Sequence, residues 1–209
     1  MAFQWKDLAD DFSGRQQRIV GVSLYNQVGE RIARERGLGR AVEVACGDGG
    51  FSSFWVPNAT EAVLTDVEPL MCQAAAKRLA KFPHVRVEPA DALALPFEGG
   101  TFDTALALNF IHVLPPQKRQ AVLAELRRAL RPGGALIGLD FGIDGMTEEQ
   151  FRAMAVRYER EFGPVKEKKQ PMTFDQLLAE VQSAGFKLAE KEVFLEPTGS
   201  AVFFRAVAP

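Results

Sequence analysis

The 209-residue sequence predicts a three-layer α/β sandwich: a mostly parallel, seven-stranded sheet between helices, closed by a C-terminal antiparallel β-hairpin. Three observations carry that expectation. Strand-like and helix-like segments alternate five times, which calls for parallel strands joined by right-handed crossovers. The fourth strand segment, TFDTALALN, is nearly all apolar, as suits a sheet covered on both faces. The rhythm then changes, and FKLAEKEVFLE and AVFFRAVA flank a PTGS turn as a hairpin.

Each element has a local reason. Residues 16–36 show helical spacing, with Tyr25, Val28 and Ile32 on one face, and Gly37 and Gly39 end the run. RAVEVA (40–45) reads as the first strand. A glycine-rich turn follows, then a short helix to about Val56, stopped by Pro57. EAVLTD (61–66) is the second strand, and Pro69 sits in the first turn of a helix carrying Leu70, Met71, Ala74, Ala75 and Arg78. HVRVEPAD is a shorter third strand, LPFEGG a loop. Pro116 opens a helix with Val122, Leu126 and Leu130 in register; Arg127, Arg128 and Arg131 sit near its negative end, and PGG stops it. ALIGLDFG is the fifth strand. Thr147 with Gln150, and Thr173 with Gln176, form capping boxes for two further helices. The charged, proline-bounded stretch GPVKEKKQP between them reads as a solvated loop.

Composition narrows the function classes. Hydrophobic residues make up 47% of the chain, enough to fill a core, and 25 basic against 27 acidic residues leave a net charge of −2. Without a polybasic arm, no nucleic-acid partner is expected. The two cysteines, Cys46 and Cys72, form no CxxC or Cys/His pair, so neither a metal site nor a disulfide framework is expected. The N-terminal stretch MAFQWKDLADDF lacks the basic and apolar regions of a signal peptide. The most apolar run, TALALNFIHVLPP, is short and interrupted by Asn109, His112 and two prolines, so no membrane partner is expected and the chain reads as cytoplasmic.

VEVACGDGGFS (42–52) is the most informative stretch. It places the carboxylate of Glu43 inside an apolar strand, which is costly unless the group is paired. It then sets three glycines where a helix begins, which lets backbone come close to a ligand. Two cofactor classes suit this turn. As a dinucleotide fingerprint, Gly47, Gly49 and Ser52 fill G-x-G-x-x-G with the third glycine replaced, and Asp66 lies about twenty residues on for a ribose hydroxyl.

The second class follows from a resemblance. Over about residues 41–140 the sequence resembles the class I S-adenosylmethionine (SAM)-dependent methyltransferases, in particular the small-molecule, type 11-like branch. VEVACGDGG resembles that family's [D/E]-x-G-x-G-x-G turn. Asp66 in VLTDVEPLM resembles its ribose-binding acid, and ADALALPFEGGTFD its adenine-binding segment. NFIHVL and LRRALRPGGAL fall where the family has its post-strand-four loop and its turn before strand five. The resemblance implies a Rossmann-like fold, SAM as cofactor, and in-line methyl transfer to a small, partly apolar acceptor. Charge agrees: SAM has no phosphate and carries a sulfonium, so a rim holding Glu43, Asp66 and Asp91 suits it better than a pyrophosphate.

The same resemblance implies residue roles. Glu43 would hold the methionyl end, with Gly47 and Gly49 giving close approach; Ala45 stands where the family has its first glycine, and Cys46 is a small residue packed in the turn. Asp66 would bind the ribose, or cap the helix that begins near Pro69. Val67 and Leu70 would flank the adenine, Asp91 would accept from its amino group, and the Ala92 N–H would face a ring nitrogen. Asn109 would offer its carbonyl to the methionine amino group. His112 would face the acceptor as a general base, or be structural. Phe3, Trp5, Phe12 and Tyr25 would form an aromatic lid, with Phe141, Met154 and Tyr158 on the acceptor side. One domain is expected over 1–209: a helical lid (1–37), the SAM-binding core (38–142), a helical insertion on the substrate side (143–185) and the hairpin (186–209). Two alternatives stay open, a non-catalytic SAM-binding scaffold and an NAD-dependent oxidoreductase. Arsenic methylation would need more thiolates, and NFIHVLPP lacks the D/N-P-P-Y/F motif of DNA amino-methylating relatives.

Overall fold

The computed structural model describes residues 8–164 and 171–209. A single seven-stranded sheet runs in the order β3-β2-β1-β4-β5-β7-β6. Its strands are β1 (Arg40–Val44), β2 (Glu61–Asp66), β3 (Val85–Pro89), β4 (Phe102–Leu108), β5 (Leu130–Gly142), β6 (Lys187–Glu196) and β7 (Gly199–Val207). The first five pair in parallel, and β7 is antiparallel to both β5 and β6. Strand order therefore reverses between β1 and β4, the place where a parallel sheet opens a crevice at its carboxyl edge.

Alternation along the strands divides the core in two. Val42 and Val44 of β1 join Val122, Leu123 and Leu126 of α5 (Pro116–Ala129) and Leu177 and Val181 of α7 (Phe174–Ser183). On the other face, Ala41 and Leu64 meet Val28 and Ile32 of α2 (Val22–Ala33), Trp55 of α3 (Ser52–Trp55) and Leu79 of α4 (Pro69–Leu79). Two helices remain, α1 (Phe12–Val20) and α6 (Glu148–Phe162). Both contribute to the walls of the cavity at the carboxyl edge. Arg15 of α1 donates to the Glu161 carbonyl at 2.6 Å, and Arg157 of α6 donates to the Ile19 carbonyl at 2.7 Å, so the two are held together. No residue of α6 is fully buried.

Three expectations change. The single helix over 16–36 is two helices, starting earlier at Phe12 and broken at Gly21, whose φ is +89°. A Cβ there would stand 2.5 Å from Thr198 Oγ1, and that hydroxyl donates to the Val20 carbonyl at 2.6 Å. The hairpin turn thus fills the break, a contact across most of the chain that local spacing does not register. The PGG stretch is not a stop between elements but part of β5, where the β4 pairing jumps from Phe102↔Leu130 to Thr104↔Ala135. The helix at Pro69 is capped by Glu68, whose side chain accepts from the Leu70 N–H, and not by Asp66. The two capping boxes form as expected.

A charged cluster fastens the hairpin to α2. Arg31, nearly buried, reaches Glu35 at 2.7 Å, Glu190 at 2.6 Å and Glu192 at 2.7 Å, and its guanidinium lies 3.8 Å from the Phe203 ring centre. Arg205 adds a second bond to Glu35 at 2.6 Å. Each polar group has a partner, which a charge withdrawn from water requires.

The β5–β7 contact leaves no spare volume. A Cβ on Gly138 would stand 2.0 Å from Cζ of the fully buried Phe204. Gly138→Ala is expected to lower stability by about 1–3 kcal/mol through overpacking. Denaturant titration should show an earlier midpoint with an unchanged slope; an unshifted midpoint would refute the tight contact.

Candidate cofactor and acceptor site

The glycine turn leaves β1 with its backbone in the left-handed region, at Ala45 (φ +52°) and again at Gly47 (φ +56°). Ala45 carries a Cβ there, at a cost of about 1–2 kcal/mol that the surrounding structure must hold. The glycines divide their work. Gly47 lines the cavity, and a Cβ on it would come within 3.1 Å of the Phe12 ring, so its bareness seats α1 over the turn. A Cβ on Gly49 would meet Cα and Cβ of Ala75 at 3.2 Å. Gly49 is therefore a packing glycine against α4, away from the cavity wall, which differs from the ligand approach expected of it.

Three acids gather at this edge in different environments. Glu43 is 1% exposed, and its Oε2 accepts from Ser52 Oγ at 2.6 Å and Trp55 Nε1 at 2.7 Å. Glu43 also lines the cavity, and its other oxygen has no partner among the described residues. Burial pushes its carboxyl up to about 7; the two donors oppose that shift, and nearby Asp66 adds to it. Asp66 accepts from the Gly47 N–H and the Glu68 N–H, each at 2.9 Å. Burial raises its pKa against the pull of those two donors. Asp91 is exposed and accepts from the Leu93 N–H at 2.9 Å, so it braces its own turn while standing on the wall.

Asp48 was missed by sequence reasoning, and it organises the turn. Its Oδ2 accepts from the Ser13 N–H (3.1 Å), the Ser13 hydroxyl (2.7 Å) and Arg78 Nη2 (2.7 Å); its Oδ1 accepts from the Gly50 N–H. One carboxylate thus joins α1, the turn and α4. Its partners on α4 and α1 lie 30 and 35 residues away, so no local spacing announces them.

The cavity has a volume of about 750 Å³, within the range of roughly 300–1,000 Å³ common for small-molecule sites. Its walls include Glu43, Ala45, Cys46, Gly47, Asp66, Val67, Asp91, Ala92 and Asn109, and on the other side Phe12, His112, Phe141, Met154 and Tyr158. Asn109 has φ +58°, the second left-handed non-glycine residue on the rim after Ala45, and Cys46 is a buried free thiol whose pKa burial raises. Two sequence candidates lie elsewhere. Tyr25 is buried behind the wall, stacked on Phe51 at 4.3 Å, because α2 belongs to the core layer rather than to the roof. Leu70 points away from the cavity wall, into a shallow groove beside Ala9 and Lys77. Phe3 and Trp5 lie outside the described residues. The sequence reading also missed Phe51, Phe110 and Phe151 on the apolar side and Gln16 on α1.

His112 has a partner that was not expected. Its Nδ1 lies 2.6 Å from Oδ1 of Asp140, a residue of β5 that is 1% exposed. Asp140 Oδ2 is buried without a hydrogen-bond partner among the described residues. Burial raises the Asp140 pKa, and His112 pulls the other way.

Fold and site together define a class: a doubly wound α/β domain that takes a nucleoside-bearing cofactor at the β1–β4 reversal, on an acid-lined floor. Residues 41–134 match the family model described as the methyltransferase domain. They form a class I SAM-dependent methyltransferase domain, whose cofactor is SAM. The chain is 34% identical over 114 residues to a demethylmenaquinone methyltransferase of Thermus thermophilus, covering 53% of this chain and 50% of the relative. It is 30% identical over 178 residues to O-methyltransferase cnsE of Penicillium expansum, covering 82% of this chain and 60% of the relative. The chain thus spans about half the length of the first of these relatives and three-fifths of the second. Among solved structures, N-methyltransferase NodS of Bradyrhizobium japonicum, in complex with S-adenosylhomocysteine, superposes with a TM-score of 0.68 at 14% identity, over 89% of this chain and 88% of that one. That likeness shows the shared fold. The NAD-dependent alternative is set aside by the family match.

The site fits SAM on its own terms, because an unpartnered oxygen of a buried acid faces the cavity where a cationic group would satisfy it. Glu43 is then a proton-linked element. Its pKa is raised on folding, so the stability it contributes is present below about 4.5 and lost as pH rises through about 7. A cationic ligand favours the ionised form, so SAM binding near pH 6 should release a proton. Calorimetry in buffers of different ionisation enthalpy should detect that release in the parent and not in Glu43→Gln; equal proton counts in both would refute it. Asp66→Ala should weaken SAM binding at least tenfold with the fold retained, and unchanged affinity would remove its ribose role.

Proposed function

We propose that this chain methylates a hydroxyl group on a small, largely apolar acceptor, with SAM as donor and His112 as general base. The observation that carries this reading is the His112–Asp140 pair in the wall of the SAM cavity. A carboxylate on Nδ1 favours the tautomer with its proton there, which leaves the Nε2 lone pair for the acceptor. Bound SAM supplies a methyl group on a positively charged sulfur that departs as a neutral thioether. During methyl transfer His112 Nε2 would take the hydroxyl proton, and Asp140 would stabilise the imidazolium so made.

The acceptor class follows from the wall on the same side. Phe51, Phe110, Phe141, Phe151 and Met154 offer apolar and aromatic surface and few hydrogen-bonding groups. A flat or branched apolar body carrying a hydroxyl matches that lining, and the relative named as an O-methyltransferase supports the reading. Holding acceptor and donor in one closed space supplies most of the rate, since proximity and alignment are worth up to roughly 7–11 kcal/mol in favourable cases. The reading includes a cytoplasmic setting; both cysteines are free and buried, and no described helix is long and apolar enough to cross a membrane.

The test is turnover with isotopically labelled SAM across a panel of phenols, alcohols, amines and thiols. Label should enter a hydroxyl compound. His112→Ala should lower kcat by about 100-fold or more while SAM affinity holds, as expected for loss of a general base. Asp140→Asn should give a smaller loss. Transfer to amines alone, or full activity without the imidazole, would sink the proposal. SAM binding with no transfer to any of the panel would favour the scaffold alternative instead.

A further inference from the structure

Gln16 is the polar side chain the site leaves unexplained. It is 8% exposed, lines the cavity, and has no hydrogen-bond partner among the described residues. Its amide atoms are not among the polar atoms sealed away inside the protein, so the amide opens onto the cavity. A side chain this buried whose amide opens only onto the cavity is placed to bond with what fills that cavity.

Its position follows from its neighbours. One turn earlier on α1, Ser13 is bonded to Asp48 of the glycine turn through both its N–H and its hydroxyl. Phe12, on the same helical face as Gln16, covers Gly47. Farther along, the Val20 carbonyl is held by Thr198 of the hairpin turn. Gln16 therefore hangs from a helix fixed at both ends, over the floor that carries Glu43 and Gly47.

The charges at that floor leave one ligand group without a partner. Acids there attract the ammonium and sulfonium of SAM and repel its α-carboxylate. Arg78, the nearby cation, is spent on Asp48 and Ser13. Lys118 is the sole lysine or arginine lining the cavity among the described residues, and it stands on the first turn of α5, on the His112 side. We infer that the Gln16 amide donates a hydrogen bond to the carboxylate of the bound cofactor, so that a neutral side chain on α1 holds the amino-acid end of SAM. This rests on the SAM reading of the site and adds to it a residue that sequence motifs do not reach.

Two ligands separate this role from others. S-adenosylhomocysteine carries the amino-acid end, whereas 5′-methylthioadenosine shares the nucleoside and thioether and lacks that end. Binding of each should be measured by calorimetry on the parent, Gln16→Leu and Gln16→Glu proteins. Loss of a hydrogen bond to a charged group corresponds to about 10- to 100-fold weaker binding. Gln16→Leu should show that loss for S-adenosylhomocysteine, Gln16→Glu should exceed it through like-charge repulsion, and methylthioadenosine should bind all three alike. Unchanged S-adenosylhomocysteine affinity in Gln16→Leu would overturn the assignment, even if acceptor KM changed, because the amide would then serve the acceptor. Equal weakening of both ligands would also overturn it, as the mark of a merely structural residue. Failure of the parent protein to bind S-adenosylhomocysteine would instead overturn the SAM reading itself.

Discussion

The buried carboxylate of Glu43 is the constraint on which the rest of the site depends. A charge at that depth is expensive unless it is bonded, and the chain meets the need with Ser52 and Trp55 of the short helix that follows the turn. Those two bonds fix how α3 returns against β1 and therefore how the glycine turn crosses the strand end. The same carboxyl lies beside Asp66 on the cavity floor, and a cation there would favour its ionised form. Structure and the proposed chemistry thus share one side chain: the group that orders the turn is the one a cationic cofactor would complete.

The roof adds a different kind of interaction. Ile19 and Val20 of α1 join the core face that α2 covers, while α6 has no fully buried residue and packs against that face with Met154 and Phe162. Arginines on backbone carbonyls and Asp48 on Ser13 add directional bonds to that packing and fix the position of the two helices over the cavity. Phe12 and Tyr158, both near Phe162, then form an aromatic edge to that space. The opposite wall comes from the sheet reversal, where the segment after β4 brings His112 to the end of β5 and its Asp140. Cofactor floor and proposed proton acceptor therefore belong to neighbouring strands of one rigid sheet.

Much of the fold could be read from residue order. Apolar runs, alternation, capping boxes and turn residues are local signals, and they located all seven strands and most of the helices. The errors fell where a distant contact decides. Gly21 breaks a helix because Thr198 occupies the space a side chain would need. PGG enters β5 because a bulge absorbs it beside β4. In the site, Glu43, the glycine turn and Asp66 were legible because they fall within one β1–α3–β2 unit, whereas Asp91, beyond β3, was reached through the resemblance. Tyr25 and Leu70 were misplaced because a helical face shows which residues share a side, and not which neighbour that side will meet.

The sequence by itself determined the parallel sheet and the acid-bearing glycine turn, since each rests on residues close together in the chain or repeated at the period of one element; the choice of SAM over a dinucleotide came from the family resemblance. Tertiary structure alone decided that Asp48 would join α1 to α4, that Asp140 would stand behind His112, and that Gln16 would open onto the cavity. Those are contacts between elements whose separation along the chain carries no spacing rule. They arise only once the sheet has reversed and the helices have packed, because hydrogen-bond partners are chosen by distance in space.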